Sequence, residues 1–91
     1  MTGRKRYHLI TKESCPYCRR TKELLDSKGL IYNADPMDET PELLQEIKDR
    51  INFGTVPMIW EINHRGERKF IGGYSELVQH FMKEDKKLLY G

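Results

Sequence analysis

Ninety-one residues can close one small core and leave no room for another, so a single domain over 1–91 is expected. Hydrophobic residues make up 37% and charged residues 33%, and a net charge of +2 is too small to imply a nucleic-acid partner. Two cysteines are far fewer than a disulfide-stapled secreted domain would use, no stretch is apolar enough to span a bilayer, and the basic opening at residues 1–6 has no apolar run behind it; a cytoplasmic protein without secretory signal or membrane partner is expected.

In chain order, residues 5–11 read as a strand with Tyr7, Leu9 and Thr11 on one face and His8 and Ile10 on the other, central in its sheet. A short polar turn leads to Cys15 as the N-cap of a helix. Pro16 takes the first helical position, where its missing N–H is no loss and its fixed φ is already helical. Tyr17, Thr21, Leu24 and Leu25 recur at helical spacing, and Lys28-Gly29 supplies a basic last turn and a glycine stop. Residues 30–35 read as a second strand ending in a turn at Pro36, and strand–helix–strand order implies parallel pairing by a right-handed crossover.

Thr40-Pro41 repeats the start signal, a capping hydroxyl before proline, and Glu42 adds a favourable charge to the first turn. Leu43, Leu44, Ile47 and Ile51 form the apolar stripe of this second helix, which Asn52 or Gly54 can end. Residues 58–62 and 67–71 are short strands joined by Asn63-His64-Arg65-Gly66, a sequence suited to a hairpin turn. Gly72-Gly73 breaks the second of them. Ser75 can cap a last helix with Leu77, Val78, Phe81 and Met82 inward, and residues 83–91 are expected to be its frayed polar end. Trp60 and Phe70 are assigned to packing, Glu13 and Glu23 to solvated surface, and the basic residues Arg4, Lys5, Arg6, Arg19, Arg20 and Lys22 mainly to a solvated face.

Both cysteines fall in Cys15-Pro16-Tyr17-Cys18, where a strand hands over to a helix. Two intervening residues let the sulfurs share the first helical turn, near enough for a disulfide or a common metal ion. Cys15 at the N-cap faces the unpaired N–H groups and positive dipole end of the helix, with Lys12 and Arg19 nearby. Such surroundings lower a cysteine pKa to roughly 3.5–7.5, making Cys15 the expected attacking thiolate and Cys18 the resolving thiol. A four-residue disulfide loop removes little chain entropy, so a purely structural bond would be a poor staple. Zinc normally takes four protein ligands in a structural site, and His8, His64 and His80 do not lie at ligand spacing from one another. No metal site is assigned, and none of the three histidines is given a catalytic role.

The segment Thr11-Lys12-Glu13-Ser14-Cys15-Pro16-Tyr17-Cys18 resembles the active-site signature of dithiol glutaredoxins. Thr55-Val56-Pro57 and Gly72-Gly73-Tyr74-Ser75 look like two further motifs of that family, in the expected order. The resemblance covers nearly the whole chain. It implies an α/β thioredoxin-like fold, a four-stranded mixed sheet flanked by three helices in the order β-α-β-α-β-β-α. It also implies a thiol–disulfide oxidoreductase with glutathione as co-substrate, no permanently bound cofactor, and disulfide-containing or glutathionylated proteins as partners of a monomer, ribonucleotide reductase among the candidates.

By the same resemblance, a cis Val56–Pro57 bond turns Val56 toward the cysteinyl unit of glutathione, with Thr55 beside it. Gly73, Tyr74 and Ser75 meet the γ-glutamyl carboxylate, Lys12 meets the glycyl carboxylate, and Tyr17 lines the groove as well as packing. The chain also departs from the family. Phe53 and Gly54 stand where many relatives carry Arg, Lys or Gln, leaving Arg50 as a substitute one turn earlier; Tyr74 replaces a smaller residue, and Glu76 an Asp. A weaker or tilted hold on glutathione is expected. The competing readings are an electron donor dedicated to one protein through the basic rim of Arg19, Arg20 and Lys22, a non-catalytic metal or iron–sulfur binder, and a thioredoxin-type protein recharged by a flavoenzyme.

Overall fold

The computed structural model describes residues 5–90. Four strands, β1 (Arg6–Thr11), β2 (Ile31–Pro36), β3 (Met58–Ile62) and β4 (Arg68–Gly72), form one sheet in the order β2-β1-β3-β4. Three helices, α1 (Pro16–Ser27), α2 (Pro41–Ile51) and α3 (Tyr74–Tyr90), complete the order β-α-β-α-β-β-α. This is the thioredoxin-like architecture expected. β1 is central: it pairs parallel with β2, Leu9 opposite Ala34, and antiparallel with β3, Leu9 opposite Ile59.

Side chains alternate across a strand, so each face of β1 builds its own core. Tyr7 and Leu9, with Ile59, pack against Leu25 of α1 and Leu77 and Phe81 of α3. Ile10 and Met58 point the other way and pack against Leu44 of α2, with Ile47, Phe53, Trp60 and Phe70 around them. The assignment of Trp60 and Phe70 to packing therefore holds. Two helices cover one face and a single helix the other, which leaves the β1–α1 turn open at the C-terminal end of the central strand. Among the described residues no helix is long and apolar enough to cross a membrane.

Several local expectations are corrected. Thr40 precedes α2, but its side chain makes no capping hydrogen bond, so Pro41 and Glu42 carry that start. Of the two residues that could end α2, Asn52 does so, in the left-handed region at φ 55°, which is one of the two expected outcomes. Leu43 and Met82 are largely exposed rather than inward, because the apolar stripe of each helix is narrower than the spacing suggested. Lys28 lies just past α1, which has no basic residue in its last turn. α3 continues as helix to Tyr90 rather than loosening at residue 83. Arg4 of the basic opening and Gly91 of the expected frayed end lie outside the described residues.

Candidate active site

Cys15 has extended backbone geometry, φ −132° and ψ 102°, and stands as the N-cap of α1 with Pro16 behind it. Its carbonyl accepts the Arg19 N–H at 3.2 Å, and its Sγ accepts the Cys18 N–H at 3.1 Å. The sulfur thus sits where the helix presents an unpaired donor, as N-cap side chains do. Cys15 and Cys18 are joined in a disulfide with Cα atoms 5.2 Å apart. Cys18 is 3% exposed and Cys15 only partly covered, so the two sulfurs differ in access as the sequence implied.

The loop before β3 supplies the opposite wall. Val56–Pro57 is a cis peptide bond, and the Val56 carbonyl oxygen lies 3.8 Å from Cys15 Sγ. Pro57 is fully buried, whereas Thr55 is exposed. Gly73 abuts this loop so closely that a Cβ there would meet Pro57 O and Phe53 Cζ at 3.4 Å. Gly72, at φ +125°, leaves no space for a side chain: an added Cβ would stand 2.7 Å from Glu76 Cγ. Gly72 is therefore required by its backbone and by close approach, while at Gly73 a Cβ would fit tightly.

Two expectations at this end are corrected. Ser75 does not cap α3; it is exposed at the second helical position, and the turn is closed by Glu76, whose Oε1 accepts the Gly73 N–H at 2.8 Å. Leu77 N–H donates to the Gly73 carbonyl, which makes Gly73 the residue before the helix. A glutamate three residues past the cap was the readable sign, being half of a capping box. Tyr17, expected partly as core, is 52% exposed; its ring stacks at a tilt on Tyr74, centroids 5.9 Å apart, with the Arg20 guanidinium 5.1 Å from its centre. The Tyr17–Tyr74 pair carries the surface from the disulfide to the start of α3.

Lys12 is placed differently from Val56 and Gly73. It lines a cleft on the α1 side of the disulfide with Glu13, Cys15, Arg19, Arg20 and Lys22. Arg50 runs back along α2 to Glu46, 3.0 Å away, and Phe53 packs edge-on against Phe70. Sequence reasoning also missed a cluster on β1, β3 and α3. Glu61, 8% exposed, accepts the Tyr7 hydroxyl at 2.9 Å and lies 2.7 Å from His80 Nε2; Lys5 Nζ stands 2.8 Å from Glu84 and 3.7 Å from Glu61. Burial alone would push the Glu61 carboxyl up, but hydrogen bonds from Tyr7 and His80 and the charges of His80 and Lys5 outweigh it and hold the carboxyl below its ordinary range. No local pattern signals this cluster, since its members are up to 79 positions apart.

A redox-capable cysteine pair at the first strand-to-helix turn of a thioredoxin-like sheet, facing a cis-proline loop, defines a thiol–disulfide oxidoreductase. The glutaredoxin family model matches residues 8–65. Glutaredoxin 3 of Escherichia coli is 38% identical over 69 residues, which are 76% of this chain and 77% of that protein. Among solved structures, glutaredoxin from Brucella melitensis is similar with a TM-score of 0.66 and 32% identity, over 90% of this chain and 82% of that one. A buckwheat glutaredoxin–glutathione complex is similar with a TM-score of 0.72 and 26% identity, over 91% and 72% of the two chains. The chain belongs to the glutaredoxin family.

Proposed function

We propose that the protein is a glutathione-dependent oxidoreductase that reduces protein disulfides and glutathione mixed disulfides, with Cys15 as nucleophile and Cys18 as resolving thiol. The observation that carries the reading is the position of Cys15 Sγ, held at the start of α1 and 3.8 Å from the Val56 carbonyl. That carbonyl belongs to the loop leading into β3, and an extended tripeptide can lie beside it as an added strand. The buckwheat relative was solved with glutathione, which supports the choice of ligand.

In the reduced protein, the Cys15 thiolate attacks one sulfur of a substrate disulfide, and the other sulfur leaves as a thiolate and is protonated. For a protein disulfide, Cys18 then attacks the mixed disulfide, releasing reduced substrate and leaving the Cys15–Cys18 bond described above. For a glutathionylated protein, Cys15 takes the glutathionyl group, and a second glutathione removes it as glutathione disulfide. The two electrons come from glutathione in both routes.

Glutathione's cysteinyl unit lies along Val56, flanked by Thr55 and Pro57. With the Gly73 N–H held by Glu76, the amide groups of Tyr74 and Ser75 are the donors offered to the γ-glutamyl carboxylate at the positive end of α3. Tyr17 closes the groove against Tyr74. Lys12 meets the glycyl carboxylate by swinging from its cleft beside Cys15. The protein works as a monomer in the cytoplasm, where a glutathione pool can recharge it.

Turnover of a small glutathione mixed disulfide by wild type, Cys18→Ser and Cys15→Ser protein tests this reading. Cys18→Ser should retain that turnover and lose reduction of protein disulfides, and Cys15→Ser should lose both. Full activity in Cys15→Ser would overturn the assignment.

A further inference from the structure

Thr21 is fully buried on the face of α1 that also buries Cys18 and Leu25. A buried hydroxyl needs a partner, and this one donates to the Tyr17 carbonyl one turn earlier, at 2.7 Å. Threonines inside helices often bond back in this way. What sets Thr21 apart is the peptide group it reaches. The Tyr17 carbonyl and the Cys18 N–H belong to one amide, and that N–H donates to Cys15 Sγ at 3.1 Å. Hydroxyl, amide and sulfur therefore form one chain of hydrogen bonds running head to tail, Oγ1–H to O=C–N–H to Sγ, and it ends on the nucleophile.

We propose that Thr21 is a positioning residue that makes Cys15 more acidic through this amide. A hydroxyl donating to a carbonyl draws electron density from the amide nitrogen and makes its N–H a better donor, the cooperative effect of hydrogen-bond chains at low local dielectric. The gain is larger for a thiolate than for a thiol, because a charged acceptor forms the stronger hydrogen bond. Thr21 thereby favours the ionised sulfur without touching it. The charged groups around Cys15 set the level from which it acts. Lys12, Glu13, Arg19, Arg20, Lys22 and Glu23 line the cleft on the α1 side, the start of α3 brings the Tyr74 phenol and the Glu76 carboxylate to the other wall, and the loop before β3 offers the Val56 carbonyl. All of these stay when the Thr21 hydroxyl alone is removed. The inference rests on Cys15 as the nucleophile of the proposed function, and not on glutathione as its co-substrate.

The test compares reduced wild type with Thr21→Val, which keeps the branched shape without the hydroxyl, and with Thr21→Ser, which keeps the hydroxyl. Each is alkylated with iodoacetamide from about pH 3 to about pH 9, a range that brackets an activated thiol. The Cys15 thiolate displaces iodide and forms a thioether, and peptide mass mapping confines the reading to Cys15. The midpoint of the pH–rate profile of Thr21→Val should lie about half a unit above that of wild type, so that below both midpoints Cys15 reacts about threefold more slowly. Thr21→Ser should titrate with wild type. Thr21→Ala, which a helix accepts readily, should shift as the valine variant does and keeps the test open if that variant does not fold. A purely structural hydroxyl would lower the melting temperature of the valine and alanine variants and leave the midpoint where it is. That outcome, or a serine variant shifted as far as the valine one, would overturn the inference. Alkylation needs no glutathione, so failure of glutathione to reduce the oxidised protein would count against the proposed function alone.

Discussion

Glu76 does two jobs with one side chain. Its Oε1 accepts the Gly73 N–H, and its side chain lies over Gly72, occupying the space a Cβ would need. Glu76→Ala should therefore remove a helix cap worth about 1 kcal/mol. In a domain of this size that lowers the melting temperature by roughly 4–8 °C, measurable by circular dichroism. Gly72→Ala should cost more, about 1–3 kcal/mol, because it combines a left-handed backbone at φ +125° with a contact of 2.7 Å to Glu76 Cγ. At this scale the sequence was a mixed guide. Cys15 as N-cap, Pro16 behind it and the need for glycine at position 72 follow from local rules of helix starts and backbone freedom. The Ser75 cap did not survive, because a serine that reads as a cap is displaced when a glutamate one position later reaches back to the chain.

The third helix is tied to the sheet by charge as well as by Leu77 and Phe81. His80 and Glu84, one turn apart, face Glu61 on β3, while Lys5, just before β1, and Tyr7 on β1 reach the same carboxylate. Tyr7→Phe keeps the ring and removes one hydrogen bond to a buried carboxylate, which should cost about 1.5–3 kcal/mol in urea unfolding. The Glu61 carboxyl titrates below its ordinary 4.5, so its ion-pair stabilisation is present above that value and lost as the pH falls through the lower, folded-state value. Acid unfolding followed by circular dichroism should show wild type losing stability steeply below pH 4.5, and Glu61→Gln, weaker at neutral pH, losing less over the same interval. None of this was legible beforehand. The sequence analysis assigned Glu61 no role, and only the assembled sheet brings Tyr7 and His80 to it. The elements themselves were legible, because Tyr7, Leu9 and Ile10 alternate, Leu25 and Leu44 repeat at helical spacing, and Gly29 and Gly66 mark turns through their positive φ.

Across the molecule, one central strand carries the redox pair at its C-terminal end and the Glu61 cluster nearer its N-terminal end. The chemistry is thereby placed at an open edge of a fold held from the far side. The parallel β1–β2 pair and the β3–β4 hairpin were legible from element order and turn residues, whereas the antiparallel β1–β3 pairing and the opposition of Cys15 to Val56 join positions far apart in sequence and were reachable only through the family resemblance. What set the account apart from a thioredoxin-type reading was a handful of residues, Lys12, Tyr17 and the Gly72-Gly73 pair, and the structure gives Tyr17 and Gly73 a shared surface beside the sulfur while Lys12 stands in the cleft on its other side. The most direct measurement is the rate at which glutathione reduces the Cys15–Cys18 disulfide, set against the rate with a thioredoxin reductase and its pyridine nucleotide. Rapid reduction by millimolar glutathione with little or none by the flavoenzyme is the predicted result; efficient reduction by the flavoenzyme while glutathione leaves the bond intact would contradict it.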